Sequence, residues 1–219
     1  MATVSQHDLD VHLLGSGSSS RTVTDALRDL LAEDGSVYIV VGFFTYNGFR
    51  VLRSEFRSFL DRSPDNTLVF IVGPASDQFS PRIARDLWAW DTAGEVKVRK
   101  QPKGLHAKLY LRTGETSHMI LGSANLTRVA FEYNVELGIE LRASTPSHPR
   151  IDPYVEWVED LALAAPLLDS RDLRFPLPVY SSVVNWTNKA KLLPRQYVLR
   201  RITPYAALLV VVAVVFRLI

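Results

Sequence analysis

The sequence predicts an α/β fold: a mixed β-sheet flanked by helices in one domain, followed by a C-terminal extension. Three observations predict this class. Strand-like apolar runs alternate with helical patterns through roughly the first 165 residues. The 219 residues suffice for one domain with a substantial core plus an appendage. The end of the chain differs in composition, being first basic and then apolar.

Helices and strands are predicted from the spacing of apolar residues. In the first helix, Val23, Ala26, Leu27 and Leu30 share one stripe. Pro81 suits the first turn of another helix. The predicted helices cover 22–33, 48–62, 81–93 and 153–164, and the predicted strands cover 37–44, 67–72, 96–99, 105–112, 118–121 and 135–141.

The predicted domain organisation has four parts. Residues 1–20 are expected to form a flexible N-terminal segment, because Gly and Ser dominate its end. Residues 21–165 form the α/β domain, and 166–201 form a basic extension that contains proline. Residues 202–219 form an apolar tail.

The most informative strand prediction is the one at 105–112. Its apolar residues alternate with His106, Lys108, Tyr110 and Arg112, so period two places His106 and Lys108 on the same face. Along an extended strand, the two positions lie about 7 Å apart. The strand therefore presents an imidazole and an ammonium side by side.

A second strand is expected to bring further polar groups to the same place. Turn-forming residues at 113–116 separate the two strands. The second strand ends at Gly122 and Ser123, where a glycine lets backbone amide groups approach a ligand closely. Asn125 follows two residues later. An imidazole, an ammonium, a hydroxyl and a carboxamide then converge in a set that suits a tetrahedral phosphate.

These motifs resemble the signature of the phospholipase D superfamily, a His-x-Lys pair followed by Gly-Ser-x-Asn. Here it reads His106-Ala-Lys108 and Gly122-Ser123-Ala-Asn125. Thr113 stands where the family usually has an aspartate. The segment Asn134-Val-Glu136 resembles the one that supplies a carboxylate to orient the histidine. Residues 42–49 resemble an early strand end in members encoded with helicases or restriction enzymes.

The resemblance implies a phospholipase D-like fold and a role for each motif residue. His106 attacks phosphorus to form a phosphohistidine that water later hydrolyses, and this requires no metal. Lys108 and Asn125 hold the non-bridging oxygens, and Ser123 adds a hydrogen bond beside Gly122. Glu136 orients His106, with Glu132 and Glu140 as alternatives for that role.

The reaction also requires a second histidine to protonate the leaving oxygen. The remaining histidines, which are His7, His12, His118 and His148, lack a lysine two positions on. His118 is interpreted as an ordinary strand residue. The simplest solution is a symmetric homodimer in which each subunit supplies one His-Lys half to a shared site. Single-motif members of the family assemble in this way.

Composition excludes several kinds of site. The chain has no cysteine, so it has no disulfide framework, no thiolate nucleophile and no cysteine-based zinc site. No cluster of His, Asp and Glu has the spacing of metal ligands, and we expect no cofactor. The N-terminus lacks the apolar segment of a signal peptide, so we expect a cytoplasmic location.

Charge separates the tail from the rest of the chain. Residues 1–172 carry 18 Lys and Arg against 23 Asp and Glu, whereas residues 173–219 carry seven basic residues and no acidic one. As a helix, 202–219 would be about 27 Å long, slightly less than a typical hydrocarbon core. The tail is therefore interpreted as a membrane anchor, with the catalytic domain facing the cytoplasm. The alternative is a buried strand or a segment exchanged in a dimer.

Three functions remain open from the sequence. A nuclease-like phosphodiesterase acting on DNA or RNA is favoured by the single motif, the small domain and the segment at 42–49. Arg50, Arg53 and Arg57 either supply a local basic face or form a solvated helix side. A membrane-associated phospholipid hydrolase or phosphatidyl transferase is favoured by the apolar tail. A non-catalytic, membrane-tethered binding module is the third alternative.

Overall fold

The computed structural model describes residues 8–15, 21–73, 81–90, 95–101 and 104–167. Its strands are β1 (Leu9–Gly15), β2 (Ser36–Val41), β3 (Thr67–Val72), β4 (Glu95–Lys100), β5 (Lys108–Thr113), β6 (Ser117–Gly122) and β7 (Leu137–Ala143). Its helices are α1 (Val23–Leu30), α2 (Tyr46–Val51), α3 (Arg53–Arg62), α4 (Pro81–Trp90), α5 (Arg128–Glu132) and α6 (Asp152–Ala164).

The chain divides into two units, Met1–Leu173 and Arg174–Ile219, and all of these elements belong to the first. The predicted apolar tail at 202–219, and all but two residues of the basic extension, lie outside the described residues. Within the part of the chain that the structure describes, no helix is both long enough and apolar enough to span a bilayer.

The strands form one mixed sheet in the order β1-β7-β6-β5-β2-β3-β4. β2, β3 and β4 are mutually parallel, whereas β5 pairs antiparallel with β2. From β5 through β6 and β7 to β1, every pairing is antiparallel. The predicted fold class, a mixed sheet flanked by helices, is confirmed.

Helices cover both faces of the sheet. On one face, α1 to α4 enclose an aromatic core in which Phe44 stacks on Phe70 with ring centroids 5.0 Å apart. Phe49 stacks on Phe56 at 5.7 Å. On the other face, α6 packs over Leu109, Leu111, Met119 and their neighbours. The aromatic core fixes the segment that follows β2, and this segment reaches the site described below.

The prediction of a flexible segment at 1–20 is wrong for residues 9–15. These residues form β1, which pairs along its whole length with β7 at the edge of the sheet. The segment is short, contains polar as well as apolar residues and is followed directly by the Gly-Ser run. Its sequence therefore does not show a clear strand pattern. At the edge of a sheet a strand pairs on one side only, so a short strand with a weak apolar pattern can form there.

The predicted helix at 48–62 is two helices. α2 ends at Val51, and Leu52 adopts φ −118° and ψ 17° before α3 begins. Phe49 in α2 and Phe56 in α3 are both fully buried in the core on either side of this break. The five-residue helix α5 was not predicted, because it is too short to show an apolar period.

Among the described residues, several apolar side chains on the sheet face that carries α6 are exposed. Leu13, Ile139 and Leu121 lie side by side in the register of β1, β7 and β6, and Leu121 pairs in turn with core residue Leu109. We call the exposed residues of this face the apolar sheet surface: Val11, Leu13, Leu121, Leu137 and Ile139. It lies where β6 ends and β7 begins.

Candidate active site

His106 lies just before a strand and not within it. β5 begins at Lys108, opposite Val41, the last residue of β2. Beyond that point the backbone of Gly42 lies beneath residue 105: a Cβ on Gly42 would come 3.0 Å from the carbonyl oxygen of Leu105. The predicted strand at 105–112 is therefore wrong for 105–107, because β2 and β6, the described neighbours of β5, do not extend far enough to pair with them.

The two motif side chains are in direct contact. Nζ of Lys108 lies 3.1 Å from Nδ1 and 3.4 Å from Nε2 of His106, and it donates to the His106 carbonyl oxygen at 2.6 Å. The lysine side chain therefore folds back against its neighbour two residues earlier in the chain. The imidazole is exposed, whereas the lysine side chain is only 7% exposed. The imidazole is thus accessible from solvent, and the ammonium is anchored beside it.

The environment of Lys108 changes its acidity. Burial lowers the pKa of Lys108 below its usual range, while the charge of Glu136 acts in the opposite direction. Glu136 therefore favours the charged form of the lysine.

Glu136 and Ser123 form a hydrogen-bonded pair where β6 ends and β7 begins. The Ser123 hydroxyl donates to the Glu136 carboxylate. The same hydroxyl accepts from the backbone N–H of Leu137 at 3.1 Å. Asn134 donates to the other carboxylate oxygen of Glu136 at 3.0 Å. These bonds hold the Glu136 carboxylate, and the orientation of His106 by Glu136 stays a prediction.

The two alternatives to Glu136 have other partners. Glu132 is exposed on α5 and pairs with Arg128 at 2.6 Å. Glu140 is fully buried and contacts His118 and Arg142. Of the three carboxylates, Glu136 is the one held against the motif serine.

Gly122 allows two strands to approach each other. A Cβ at this position would lie 2.5 Å from the carbonyl oxygen of Leu137 and 2.8 Å from Cα of Gly138, which is its register partner. The glycine therefore has a packing role between β6 and β7. Its predicted contact with the substrate stays a prediction.

Asn125 connects the loop at 123–127, which follows β6, to the segment after β2. The side-chain oxygen Oδ1 of Asn125 accepts from the backbone N–H of Phe43 at 3.0 Å. A Cβ on Gly42 would lie 3.6 Å from that oxygen and 3.7 Å from Cα of His106. The fully buried Tyr110 donates to the carbonyl oxygen of Ala124 at 3.0 Å and fixes the loop from below. Asn125 and His106 therefore both lie close to Gly42.

Phe43 is a site neighbour that the sequence reasoning did not single out. Its side chain is 39% exposed, although the aromatic residues around it are buried. The Gly-Phe-Phe order at 42–44 contains a signal, since two successive residues of an extended segment face opposite ways. An exposed aromatic ring thus lies beside the carboxamide of Asn125.

The predicted site residues gather at one end of the central strands. The end of β2, the start of β5, the end of β6 and the start of β7 contribute Gly42, His106, Ser123 and Glu136 respectively. The set offers a nucleophile, a cation and hydrogen-bond donors to an anionic group. Among the described residues, no group of three or more His, Asp or Glu is placed to hold a metal ion.

A second charged cluster lies away from this site. His118 contacts buried Glu140 at 2.8 Å, and Glu140 also accepts from Arg21 at 2.6 Å and from Arg142 at 2.7 Å. Burial opposes ionisation of Glu140, but these hydrogen bonds together outweigh it, so its pKa falls well below the usual range. Burial lowers the pKa of His118. His118 is therefore a structural residue, as interpreted from the sequence.

Comparison with known proteins extends these observations. A family model described as "Cardiolipin synthase, PLD-like domain" matches residues 4–157. The chain is similar to the solved structure of Nuc from Salmonella typhimurium, a phospholipase D family member, with 14% identity and a TM-score of 0.53; the match covers 74% of this chain and 99% of that one. For NucT from Helicobacter pylori the identity is 18% and the TM-score 0.55, with 73% and 99% covered.

A third similar structure is longer. Phosphatidylserine synthase from Haemophilus influenzae is 18% identical with a TM-score of 0.60, and the match covers 84% of this chain but 46% of that one. At these identities the likeness concerns the fold alone. A comparison with curated proteins found no match.

Proposed function

The chain belongs to the phospholipase D superfamily, and on that basis we propose that it is a metal-independent phosphodiesterase that acts through a phosphohistidine at His106. The observation that carries the proposal is the contact between the exposed imidazole of His106 and the anchored ammonium of Lys108, 3.1 Å apart. A nucleophile and a cation are thereby held within reach of one phosphoryl group. The mixed sheet has the phospholipase D-like fold that this reaction uses.

The proposed reaction has two displacements. A ring nitrogen of neutral His106 forms a bond to phosphorus while the bond to the leaving oxygen breaks, and that oxygen receives a proton from a second histidine. Water then gives a proton to the second histidine and attacks phosphorus. The bond to His106 breaks, and the products are an alcohol and a phosphomonoester.

The remaining motif residues bind and position groups in this reaction. Lys108 and Asn125 stabilise the negative charge on the non-bridging oxygens, and Ser123 donates a hydrogen bond beside Gly122. Glu136 accepts a hydrogen bond from Ser123, and its charge favours the protonated form of Lys108; we propose that it also orients the His106 ring.

The second histidine is proposed to come from an identical subunit, in a homodimer with a shared site. The apolar sheet surface supports this assembly. It includes Leu13 at 69% exposure and Leu137 at 61%, and it adjoins the strand ends that carry Ser123 and Glu136. Exposed apolar surface of this kind is typical of protein interfaces. A symmetric contact there would place two sites near the same axis.

The proposed substrate is DNA or RNA. The exposed ring of Phe43 beside Asn125 supports it, because aromatic side chains stack on the bases of single strands. The chain also carries a single copy of the His-x-Lys motif, which favours a nuclease-like member over a phospholipid-acting one.

The second candidate is a membrane-associated phospholipid hydrolase or phosphatidyl transferase. The apolar tail at 202–219 favours it, and a membrane anchor with a cytoplasmic catalytic domain is part of this proposal. The third, a non-catalytic tethered module, lacks support from the site, since His106 and Lys108 are both present and in contact.

One experiment separates the three. The full chain and its His106→Ala variant are incubated with single-stranded DNA, duplex DNA, RNA and phosphatidylglycerol vesicles, each with EDTA. Cleavage of nucleic acid that persists in EDTA and disappears in the variant supports the proposal. Turnover of lipid alone supports the second candidate, and binding without turnover supports the third. Activity that survives the His106 change refutes the mechanism.

A further inference from the structure

We propose that the groove between α2 and α5 binds a phosphate of the nucleic acid strand next to the one that is cleaved. The groove has a volume of about 300 Å³ and lies between one face of α2 and one face of α5. It is lined by Asn47, Arg50, Val51, Arg128 and Glu132. The inference rests on the proposed function, because it assigns the same substrate a second point of attachment.

The two helices that form the groove begin a few residues after Phe43 and Asn125 of the candidate active site. The segment after β2 and the segment after Asn125 form a parallel bridge between Phe44 and Leu126, and Thr45 donates to the Leu126 carbonyl oxygen at 3.1 Å. From this bridge both segments turn directly into helices, α2 and α5. Gly48 packs against the backbone of Thr127 and keeps them close. A strand that leaves His106 past Phe43 therefore meets the groove next.

The positions of its polar groups follow from the helical geometry. Asn47 and Arg128 stand at the starts of their helices, nearest the bridge. Arg50 lies three residues after Asn47, about 4.5 Å further along the α2 axis and on the same face. The groove thus offers a carboxamide and then a guanidinium along one wall.

Arg50 carries the free positive charge of this groove. It forms no hydrogen bond or ion pair with any residue that the structure describes. Arg53 and Arg57, in contrast, pair with Asp86 at 3.0 Å and with Asp61 at 2.6 Å. Of the three arginines that the sequence suggested as a basic face, Arg50 is therefore the one available for a ligand.

The opposite wall is nearly neutral. Arg128 pairs with Glu132 at 2.6 Å and lies over the ring of Tyr133. Glu132 offsets the charge of Arg128 and faces the same groove as Arg50. Removal of the Glu132 charge should therefore strengthen phosphate binding, whereas removal of the Arg50 charge should weaken it.

This lining suits a polymer of phosphodiesters. A site for a second phosphate beside the reacting one matches a nucleic acid strand, whereas a glycerophospholipid with a single diester would leave the groove empty. Val51 contributes the apolar part of the lining, and the other four side chains are polar or charged. Phosphate contacts of this kind position a strand without reading its sequence.

The test measures binding of a fluorescent single-stranded DNA by anisotropy across a range of salt concentrations. The full chain carries His106→Asn to prevent cleavage, alone or with Arg50→Gln, Glu132→Gln or Arg57→Gln. Arg57→Gln is the matched control, since it removes the same charge from an exposed helix position outside the groove. Arg50→Gln is expected to weaken binding about fivefold at low salt. It should also reduce the slope of log binding constant against log salt concentration by about 0.7.

Any one of three results overturns the inference. The first is that Arg50→Gln matches Arg57→Gln in affinity and in salt dependence, and the second is that Glu132→Gln weakens binding. The third is that Arg50→Gln weakens binding to phosphatidylglycerol vesicles but not to DNA. A separate assay with bis(p-nitrophenyl) phosphate tests the catalytic proposal in the unaltered protein. Absence of turnover there, with the Arg50 effect present, refutes the reaction and leaves the groove as a nucleic-acid site. Thermal unfolding of each variant confirms that it folds.

Discussion

The Glu136 carboxylate acts electrostatically on Lys108: burial lowers the pKa of the lysine, and the carboxylate opposes that change. If Lys108 stabilises negative charge on phosphate, activity is lost as pH rises and the ammonium loses its proton. Since the pKa lies below the ordinary 10.5, this loss begins at a lower pH than for an ordinary lysine.

Glu136→Gln is therefore expected to move the alkaline limb of kcat/KM to lower pH, in addition to any decrease in rate. The measurement is a pH–rate profile with bis(p-nitrophenyl) phosphate, and Lys108→Arg serves as the reference because its guanidinium stays charged. An alkaline limb that stays in place in Glu136→Gln, or that persists in Lys108→Arg, contradicts this role.

Phe43 is expected to bind the bases of a single strand. Stacking contributes about 1–3 kcal/mol per base, so Phe43→Ala should raise KM for single-stranded DNA about 5- to 150-fold. Phe43→Tyr should restore binding, because its ring also stacks. Steady-state kinetics with DNA and with a small diester separates this effect from a damaged site. Equal losses on both substrates argue against stacking.

The apolar sheet surface is expected to be the dimer contact. Leu137→Asp places a charge in it and should raise the dimer dissociation constant at least about tenfold, or about 1.4 kcal/mol. Activity should fall together with dimer content. Light scattering at several concentrations measures the assembly. Leu163→Asp is the control, because Leu163 is 80% exposed on α6 and lies outside that surface. A monomeric protein with full activity would rule out the shared site.

His118 and Glu140 should make stability depend on pH. Below the ordinary His118 pKa of 6.5, the unfolded chain binds a proton that the folded histidine resists, so the free energy of unfolding decreases as pH falls. Below pH 4.5, the ordinary pKa of glutamate, the unfolded chain also binds a proton at Glu140, whereas the folded protein keeps this carboxylate ionised. The free energy of unfolding therefore decreases again.

Urea unfolding between pH 8 and pH 4 measures this dependence. His118→Gln should remove the decrease that begins near 6.5 and retain the one at lower pH. His12→Gln, at an exposed position of β1, is the control for loss of a histidine. An unchanged slope near 6.5 in His118→Gln would show that another group titrates there.

Gly48 should resist substitution because of the close packing between α2 and α5. A Cβ would lie 2.3 Å from the carbonyl oxygen of Leu126 and 2.5 Å from Cα of Thr127. Gly48→Ala is expected to cost about 1–3 kcal/mol of unfolding free energy. Thermal or urea unfolding tests this, with Asn47→Ala as the control on the exposed side of the same helix. Equal stability of the two variants would disprove the steric argument.

The elements that sequence predicts well are those whose pattern comes from burial. The strands at 67–72 and 118–121 and the helix at 153–164 match the structure closely, because each buries a face long enough to show its period. The break at Leu52 and the five residues of α5 have no such signal. Their conformations come from contacts with distant segments, such as the bridge between Phe44 and Leu126.

The sequence predicted which residues belong to the candidate site, whereas their contacts with one another are known only from the structure. Sequence placed His106 and Lys108 on a common face, but their direct contact depends on where β2 ends, which is a property of a partner strand. Similarly, the Asn125 carboxamide binds a backbone group of Phe43, some eighty residues earlier in the chain. Hydrogen bonds between remote segments leave no periodic trace in a sequence.

The pairing of β1 with β7 has a practical consequence for work with shortened proteins. A chain that starts at residue 21, where the sequence pattern alone places the domain boundary, would lack β1 and leave the outer hydrogen-bonding groups of β7 open. An unprotected strand edge favours aggregation and non-native pairing with other chains. Soluble protein for crystallisation or NMR is therefore best prepared with the first twenty residues in place.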